Sequence, residues 1–134
     1  MQRLILGALL LLPATQGAAS DKIIEQRYTA TFNQCTTTGD AAAGVQPAMN
    51  QCAADEYQRQ DIRLNRRYVA VMTRLTTAGK ARLRTLQRGW IKQRDQRCAA
   101  EQATYDGGSM APLIFHTCMT NETIKRIIWL EKYR

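Results

Sequence analysis

The 134-residue chain carries 19 Lys and Arg residues against 11 Asp and Glu residues, a formal net charge of +8. Hydrophobic residues make up 45% and charged residues 22% of the sequence, a composition typical of folded globular proteins and not of disordered chains. The longest apolar run, Leu4 to Leu12, has nine residues, whereas a membrane-spanning helix needs about 20. We therefore expect one folded domain and no transmembrane span.

The N-terminal segment has the pattern of a secretory signal peptide. Arg3 precedes the apolar run, a Pro ends the run, and small residues up to Ala19 offer a cleavage site. We predict that cleavage near Ala19, or alternatively at Ala18, removes residues 1–19 and leaves one domain over residues 20–134 in the periplasm or outside the cell. A buried N-terminal helix is the alternative interpretation.

The cysteines form an even set, which in an exported chain indicates disulfides. The cysteines fall into two local pairs, whose members are 17 and 20 residues apart. Among the three connectivities that four cysteines allow, this spacing favours Cys35–Cys52 and Cys98–Cys118. Each disulfide would contribute about 3 kcal/mol. A zinc site is the competing interpretation, but the short Cys-x-x-Cys spacing of such sites is absent from the sequence.

The sequence predicts an all-α fold, because no segment shows the sustained apolar–polar alternation of a strand. A short helix capped at Ser20-Asp21 is expected to run to about Gln34, and a Thr/Gly/Ala-rich loop follows over residues 36–44. The first long helix is expected to begin near Gln46-Pro47, since Pro is tolerated in an opening turn, and to end at residues 76–79. Its inward side is predicted to contain Cys52, Tyr57, Asp61, Leu64, Tyr68, Met72 and Leu75.

Two further helices complete the predicted disulfide-linked bundle. The second long helix is expected from about Lys80 to Thr104, and its inward side is predicted to contain Leu83, Leu86, Trp90, Arg94 and Cys98. After a turn at residues 106–108, Ser109 is predicted to cap the third helix, which runs to near Tyr133. The inward side of this helix is predicted to contain Leu113, Cys118, Ile127 and Leu130.

Two charged residues, Asp61 and Arg94, fall on the predicted inward sides. A lone buried charge is costly, so we predict an ion pair between them, with Asn65 or Tyr68 supplying the remaining hydrogen bonds. Arg126 of the third helix could join or replace Arg94. A catalytic carboxylate at Asp61 is the functional alternative. The structural interpretation is favoured because no second carboxylate or His lies on the same side of the helix.

An ordered set of residues between Cys35 and Leu130 supports a family resemblance. The central motif is Gln87-x-x-Trp90-x-x-x-Arg94-Asp95, and the remaining members are Cys52, Asp61, Leu64, Asn65, Tyr68, Leu86, Cys98, Gly107, Gly108, Ser109, Cys118, Thr123, Arg126 and Leu130. In these positions the chain resembles the LprI-like lysozyme-inhibitor domain family. The resemblance implies a small exported bacterial helical domain, disulfide-linked and without cofactor, that blocks lysozymes of a host or competitor.

Positive charge is concentrated between Arg59 and Arg97, where 12 Lys and Arg residues stand against two acids. A solvated helix surface is the simpler interpretation of this segment. The functional interpretation is a surface that binds an anionic lipid headgroup, cell-wall polymer or acidic protein. Nucleic acid is not expected, because no nucleic-acid-binding motif is evident. The candidate residues for an anionic partner are Arg59, Arg63, Arg66 and Arg67.

The sequence contains no recognisable set of catalytic residues. His116 is the only His, and no H-E-x-x-H, G-x-S-x-G or P-loop spacing occurs. We therefore expect no enzymatic activity and no metal or cofactor. We expect instead that the protein acts by binding. Lysozyme inhibition is the leading hypothesis, although like net charges would slow encounter with a basic lysozyme. The alternatives are a basic envelope-surface module that binds anionic polymer or lipid, and an immunity-type partner of a periplasmic toxin.

Overall fold

A computed structural model describes the backbone of residues 15–134 and the side chains from residue 20 onward. All regular secondary structure in this part of the chain is helical, which confirms the predicted fold class. None of these helices is long and apolar enough to cross a membrane. The six helices are α1 (Thr15–Glu25), α2 (Ala30–Thr37), α3 (Gly39–Ala42), α4 (Gln46–Met72), α5 (Thr77–Ala103) and α6 (Ala111–Lys132).

The predicted signal peptide lies mostly outside the described residues, because its first 14 residues are not among them. The predicted cleavage point at Ala19 falls inside α1. Removal of residues 1–19 would leave only the second half of that helix, from Ser20 to Glu25. Cleavage therefore stays a prediction.

The prediction of one N-terminal helix that ends near Gln34 is wrong, because a break in the helical structure separates α1 from α2. Thr29 has an extended backbone at this break and caps α2, since its hydroxyl oxygen accepts a hydrogen bond from the Phe32 amide at 3.1 Å. The segment 36–44, predicted as a loop, contains the end of α2 and all of α3. Gly39, at the start of α3, has a φ of 58°, a value that glycine adopts without steric cost.

The beginnings of the last three helices follow the predictions only in part. Helix α4 begins at Gln46 with Pro in its first turn, as predicted. Helix α5 begins at Thr77, and Thr76 caps it by accepting a hydrogen bond from the Gly79 amide. Ser109 does not cap α6, so that prediction is wrong. The reason is that Ser109 lies inside a turn closed by the hydrogen bond from the Ala111 amide to the Gly108 carbonyl at 2.9 Å.

Helix α6 packs along both α4 and α5. The main apolar cluster joins these three helices through Leu64, Val71, Leu83, Ile127 and Leu130. The predicted disulfide pairing is confirmed. Cys35–Cys52 links α2 to α4 with the Cα atoms 5.9 Å apart, and Cys98–Cys118 links α5 to α6 with the Cα atoms 5.5 Å apart.

Leu86 was predicted on the inward side of α5, and this prediction is wrong. Its side chain is exposed, whereas Leu83, Gln87, Arg94 and Cys98 are buried. One residue turns the helix by about 100°. Because Gln87 occupies the inward position, Leu86 points away from α6. The buried side of α5 therefore contains more polar residues than the hydrophobic pattern indicates.

Candidate interaction surfaces

Arg94 lies where α4, α5 and α6 meet, and its side chain is buried. Its Nη2 atom lies 2.8 Å from Asp95 Oδ1, while its Nη1 atom lies 3.8 Å from Asp61 Oδ1 and 3.4 Å from Thr123 Oγ1. Asn65 donates a hydrogen bond to Asp61 at 3.2 Å. The structure thus contains the predicted Asp61–Arg94 contact, but Asp95 is the closer carboxylate. The arrangement joins three helices.

Arg126 does not pair with Asp61. Its Nε donates to Gln87 Oε1 at 2.8 Å, and its guanidinium carbon lies 3.7 Å from the Trp129 ring centroid and 5.4 Å from that of Trp90. Its Nη2 has no hydrogen-bond partner within the described residues. Burial lowers the pKa of Arg126. The two indole rings therefore provide the favourable electrostatic contact that a carboxylate would otherwise supply.

Glu56 is a buried ionisable residue that was not among the predicted site residues. Its side chain is fully buried, and it accepts hydrogen bonds from the Thr29 amide at 3.0 Å, the Thr29 hydroxyl, Gln60 Nε2 at 2.7 Å and Arg59 Nε at 3.0 Å. Burial alone would raise the pKa of Glu56, but these hydrogen bonds outweigh it and the pKa is lowered. The available signal was the four-residue spacing from Glu56 to Gln60 to Leu64. Glu56 fastens the start of α2 to α4.

An open groove of about 350 Å³ separates α4 from α5. Six residues of the family motif line it, together with three residues of α5 that were not in the motif. Of these three, Arg84 and Arg88 form no ion pair within the described part of the chain, and Ile91 is 38% exposed. We call this feature the α4–α5 groove, and its lining residues are Asp61, Leu64, Asn65, Tyr68, Arg84, Gln87, Arg88, Ile91 and Arg94.

A second concavity, of about 480 Å³, lies on the other flank of α4 and shares no lining residue with the groove. It brings together three of the four arginines predicted to face an anionic partner. The fourth, Arg59, is bound to Glu56 instead, and Arg27 from the α1–α2 break takes part in its place. We call this feature the arginine pocket, and its lining residues are Arg27, Arg63, Arg66, Arg67, Ala70, Ile127 and Glu131.

The glycines of the family motif lie in the turn between α5 and α6. Gly107 has a φ of 69°, which favours glycine. A Cβ atom at Gly108 would lie 3.1 Å from the Tyr105 carbonyl oxygen. Ser109 accepts a hydrogen bond from Asn50 of α4 through its carbonyl oxygen at 3.1 Å. These contacts explain the Gly-Gly-Ser segment by its backbone, without a ligand.

The remaining polar residues form no metal-binding cluster among the side chains described. His116 Nδ1 lies 2.9 Å from the carbonyl oxygen of Pro112 in the same helix. No group of three or more His, Cys, Asp and Glu residues in the described part of the chain could hold a metal ion. Both concavities on α4 are open and charged, so binding of a polar partner is the chemistry that these surfaces offer.

Comparison with known proteins now places the chain in a family. The family model described as lysozyme inhibitor LprI matches residues 35–130, well over half of the chain. The chain belongs to this family. An uncharacterized protein of Rhizobium meliloti (strain 1021) is 29% identical over 97 residues, which cover 63% of this chain and 70% of that protein. No solved structure matches the chain significantly.

Family membership confirms the resemblance and points to a protein binder resembling lysozyme inhibitors. The family is of the inhibitor type, which agrees with the expectation of no catalysis. The family and the two disulfides also fit an exported protein. The matched segment contains the whole α4–α5 groove, whereas Arg27 and Glu131 of the arginine pocket lie outside it.

Proposed function

We propose that the protein is an exported inhibitor that binds a lysozyme and catalyses no reaction. The match of residues 35–130 to the lysozyme inhibitor family carries this proposal. The mature form in this proposal is residues 20–134, a single domain released by cleavage near Ala19. The contacts of Glu56 and Arg94 support the proposed absence of catalysis, because these buried charged groups bind neighbouring side chains of the fold.

The α4–α5 groove is the surface that we propose to contact the enzyme. Lysozymes use a pair of carboxyl groups in an open cleft, and a guanidinium group can bind a carboxylate through two parallel hydrogen bonds. Arg84 and Arg88 stand on one wall of the groove without an ion-pair partner in the described residues. They are therefore available to a carboxylate of the enzyme.

Exposed apolar side chains lie in the groove and on the adjoining surface of α4. Ile91 lines the groove, and Ile62 and Val69 of α4 are 52% and 59% exposed. Ile62 and Val69 lie three residues before and four residues after Asn65, a spacing that places them on the same side of the helix as this groove residue. An apolar patch with neighbouring Arg and Tyr residues is the usual composition of an interface centre. Its desolvation would make binding resistant to salt.

The test is turnover of a small soluble chitooligosaccharide by a basic lysozyme, titrated with protein that lacks residues 1–19. Inhibition should saturate near one equivalent and persist at moderate salt, because the interface centre excludes water. Association should become faster as salt screens the repulsion between two basic proteins. The absence of inhibition at stoichiometric excess would overturn the proposed function.

A charge-matched pair of variants tests the placement of the interface. The double variant Arg84→Gln/Arg88→Gln should weaken inhibition by about tenfold or more, because arginines at interface centres each contribute at least about 1 kcal/mol. The control Arg82→Gln/Lys92→Gln removes the same charge from exposed positions of α5 outside the groove. Equal effects of the two variants would contradict the groove as the contact surface.

A further inference from the structure

We infer that the arginine pocket is a binding site for a compact, multiply charged phosphate group, separate from the surface that contacts a lysozyme. Four guanidinium groups surround this concavity, and Glu131 is the only carboxylate that lines it. The pocket therefore carries an excess of positive charge that the described residues do not neutralise. Such a concave cluster concentrates anions from solution.

Three of the four guanidinium groups are held in place. Arg27 makes two hydrogen bonds to Glu131, at 2.8 and 3.0 Å, and Arg67 lies 3.8 Å from the same carboxylate. Arg63 donates to the Arg27 carbonyl oxygen at 3.1 Å. The hydrogen bond from Arg27 lowers the pKa of Glu131, so this carboxylate stays charged. Preorganised donors lose less entropy when a ligand binds.

The shape and charge of the pocket favour phosphate over a carboxylate. A phosphate monoester carries about −1.5 to −2 charge and three acceptor oxygens, and the planar guanidinium fork matches phosphate oxygens with two hydrogen bonds. A lone carboxylate supplies one charge and two oxygens to four guanidinium groups. Ala70 and Ile127 also line the pocket, and they provide an apolar surface for the carbon atoms next to the phosphate.

Two other groups of arginines do not offer the same arrangement. Arg59, although next to the pocket in sequence, is bound to the buried Glu56. Arg84 and Arg88 line the α4–α5 groove together with Asp61. No residue that precedes α4 lines that groove. The arginine pocket thus brings four arginines from two distant segments to one volume, whereas the concavity lined by Arg74 and Arg134 contains two.

Calorimetric titration with inorganic pyrophosphate tests the inference on protein lacking residues 1–19. One site per chain is expected, and Arg63→Gln/Arg66→Gln should lower the affinity by about tenfold or more, because charge-assisted hydrogen bonds are lost. The exposed control Arg82→Gln/Lys92→Gln should retain the affinity of the wild type. Equal weakening in both variants, or equal affinity for citrate, would show non-specific attraction of anions and overturn the inference.

A second arm distinguishes the source of the phosphate group. Vesicles that contain phosphatidic acid should retain the protein more than phosphatidylglycerol vesicles of equal surface charge if a lipid headgroup is the ligand. Pyrophosphate binding without this preference would favour a soluble phosphate compound over a lipid headgroup. Binding of neither probe contradicts the inference while leaving lysozyme inhibition intact, because the groove and the pocket share no lining residue.

Discussion

Replacement of Glu56 by Ala tests whether this buried carboxylate holds the N-terminal helices on α4. The carboxylate has no exposed surface and accepts four hydrogen bonds, two from Thr29 and one each from Gln60 and Arg59. The Ala variant removes all four. The amide of Thr29 then remains buried without its acceptor, and the side-chain amide of Gln60 keeps only its hydrogen bond to the Arg27 carbonyl oxygen.

The expected loss of stability follows from these contacts. A hydrogen bond to a charged group contributes about 1.5–3 kcal/mol, but four bonds to one acceptor do not add. Removing one member of a buried charged network costs about 3–5 kcal/mol, and we expect Glu56→Ala to fall in this range. Glu56→Gln retains the shape and one acceptor oxygen, so a smaller loss of about 1.5–3 kcal/mol is expected.

The same carboxylate should make stability depend on pH. Burial alone would raise the pKa of Glu56, but the hydrogen bonds from Thr29, Gln60 and Arg59 lower it below the ordinary value of 4.5. A carboxyl group with a lowered folded-state pKa stabilises the protein above its unfolded pKa, and this contribution is lost as the pH falls through the folded value. The difference in stability between wild type and Glu56→Gln should therefore shrink below a pH of about 4.5.

Urea denaturation with intact disulfides, followed by circular dichroism at neutral and acidic pH, measures both effects. Glu131→Gln is the matched control, because Glu131 forms its ion pairs at a more exposed position and should contribute only about 0–1 kcal/mol. A loss below about 1 kcal/mol in Glu56→Ala would refute the proposed role of the carboxylate. A difference between wild type and Glu56→Gln that is constant with pH would refute the assigned pKa direction.

Three further results are expected. Asp61→Ala should cost about 1 kcal/mol or less, because Arg94 keeps the closer Asp95; a loss of several kcal/mol on chemical denaturation would make Asp61 the main partner. Tyr28 should ionise near pH 12, because burial and then Glu56 raise its pKa from 10.0 to about 12; alkaline absorbance titration against Tyr28→Phe checks this, and ionisation near 10 would contradict it. Peptide mapping without reductant should find no free thiol and only the two local disulfides, so any link between the two pairs would contradict this pairing.

Local sequence patterns were sufficient for the existence of the three long helices and for the disulfides. The apolar side of α4 follows the helical period, and its start coincides with the Pro that the sequence places there. The break before α2 could not be predicted in the same way. Thr29 ends up outside a helix because its amide and hydroxyl bind Glu56, a residue 27 positions further along the chain. That contact exists only in the folded protein.

The contacts of the buried arginines could likewise be predicted only in part from the sequence. The inward position of Arg94 and its contact with Asp61 could be predicted from helical spacing. The closer contact with Asp95 could not, because adjacent residues on a helix do not face each other and the pairing depends on how the buried guanidinium group folds back. Arg126 likewise stacks on Trp129 and Trp90. This contact could not be predicted, because it depends on how α6 packs against α5.

By itself, the sequence determined the helical class, the disulfide pairing, the family resemblance and the row of arginines on α4. Only the tertiary structure decided which arginines act together. Arg59 turns to Glu56, whereas Arg27, 36 residues before Arg63, joins the arginine pocket through Glu131 and a backbone contact. Helical spacing specifies the side of a helix on which a residue lies, but a long charged side chain takes its partner from whichever segments the fold brings near.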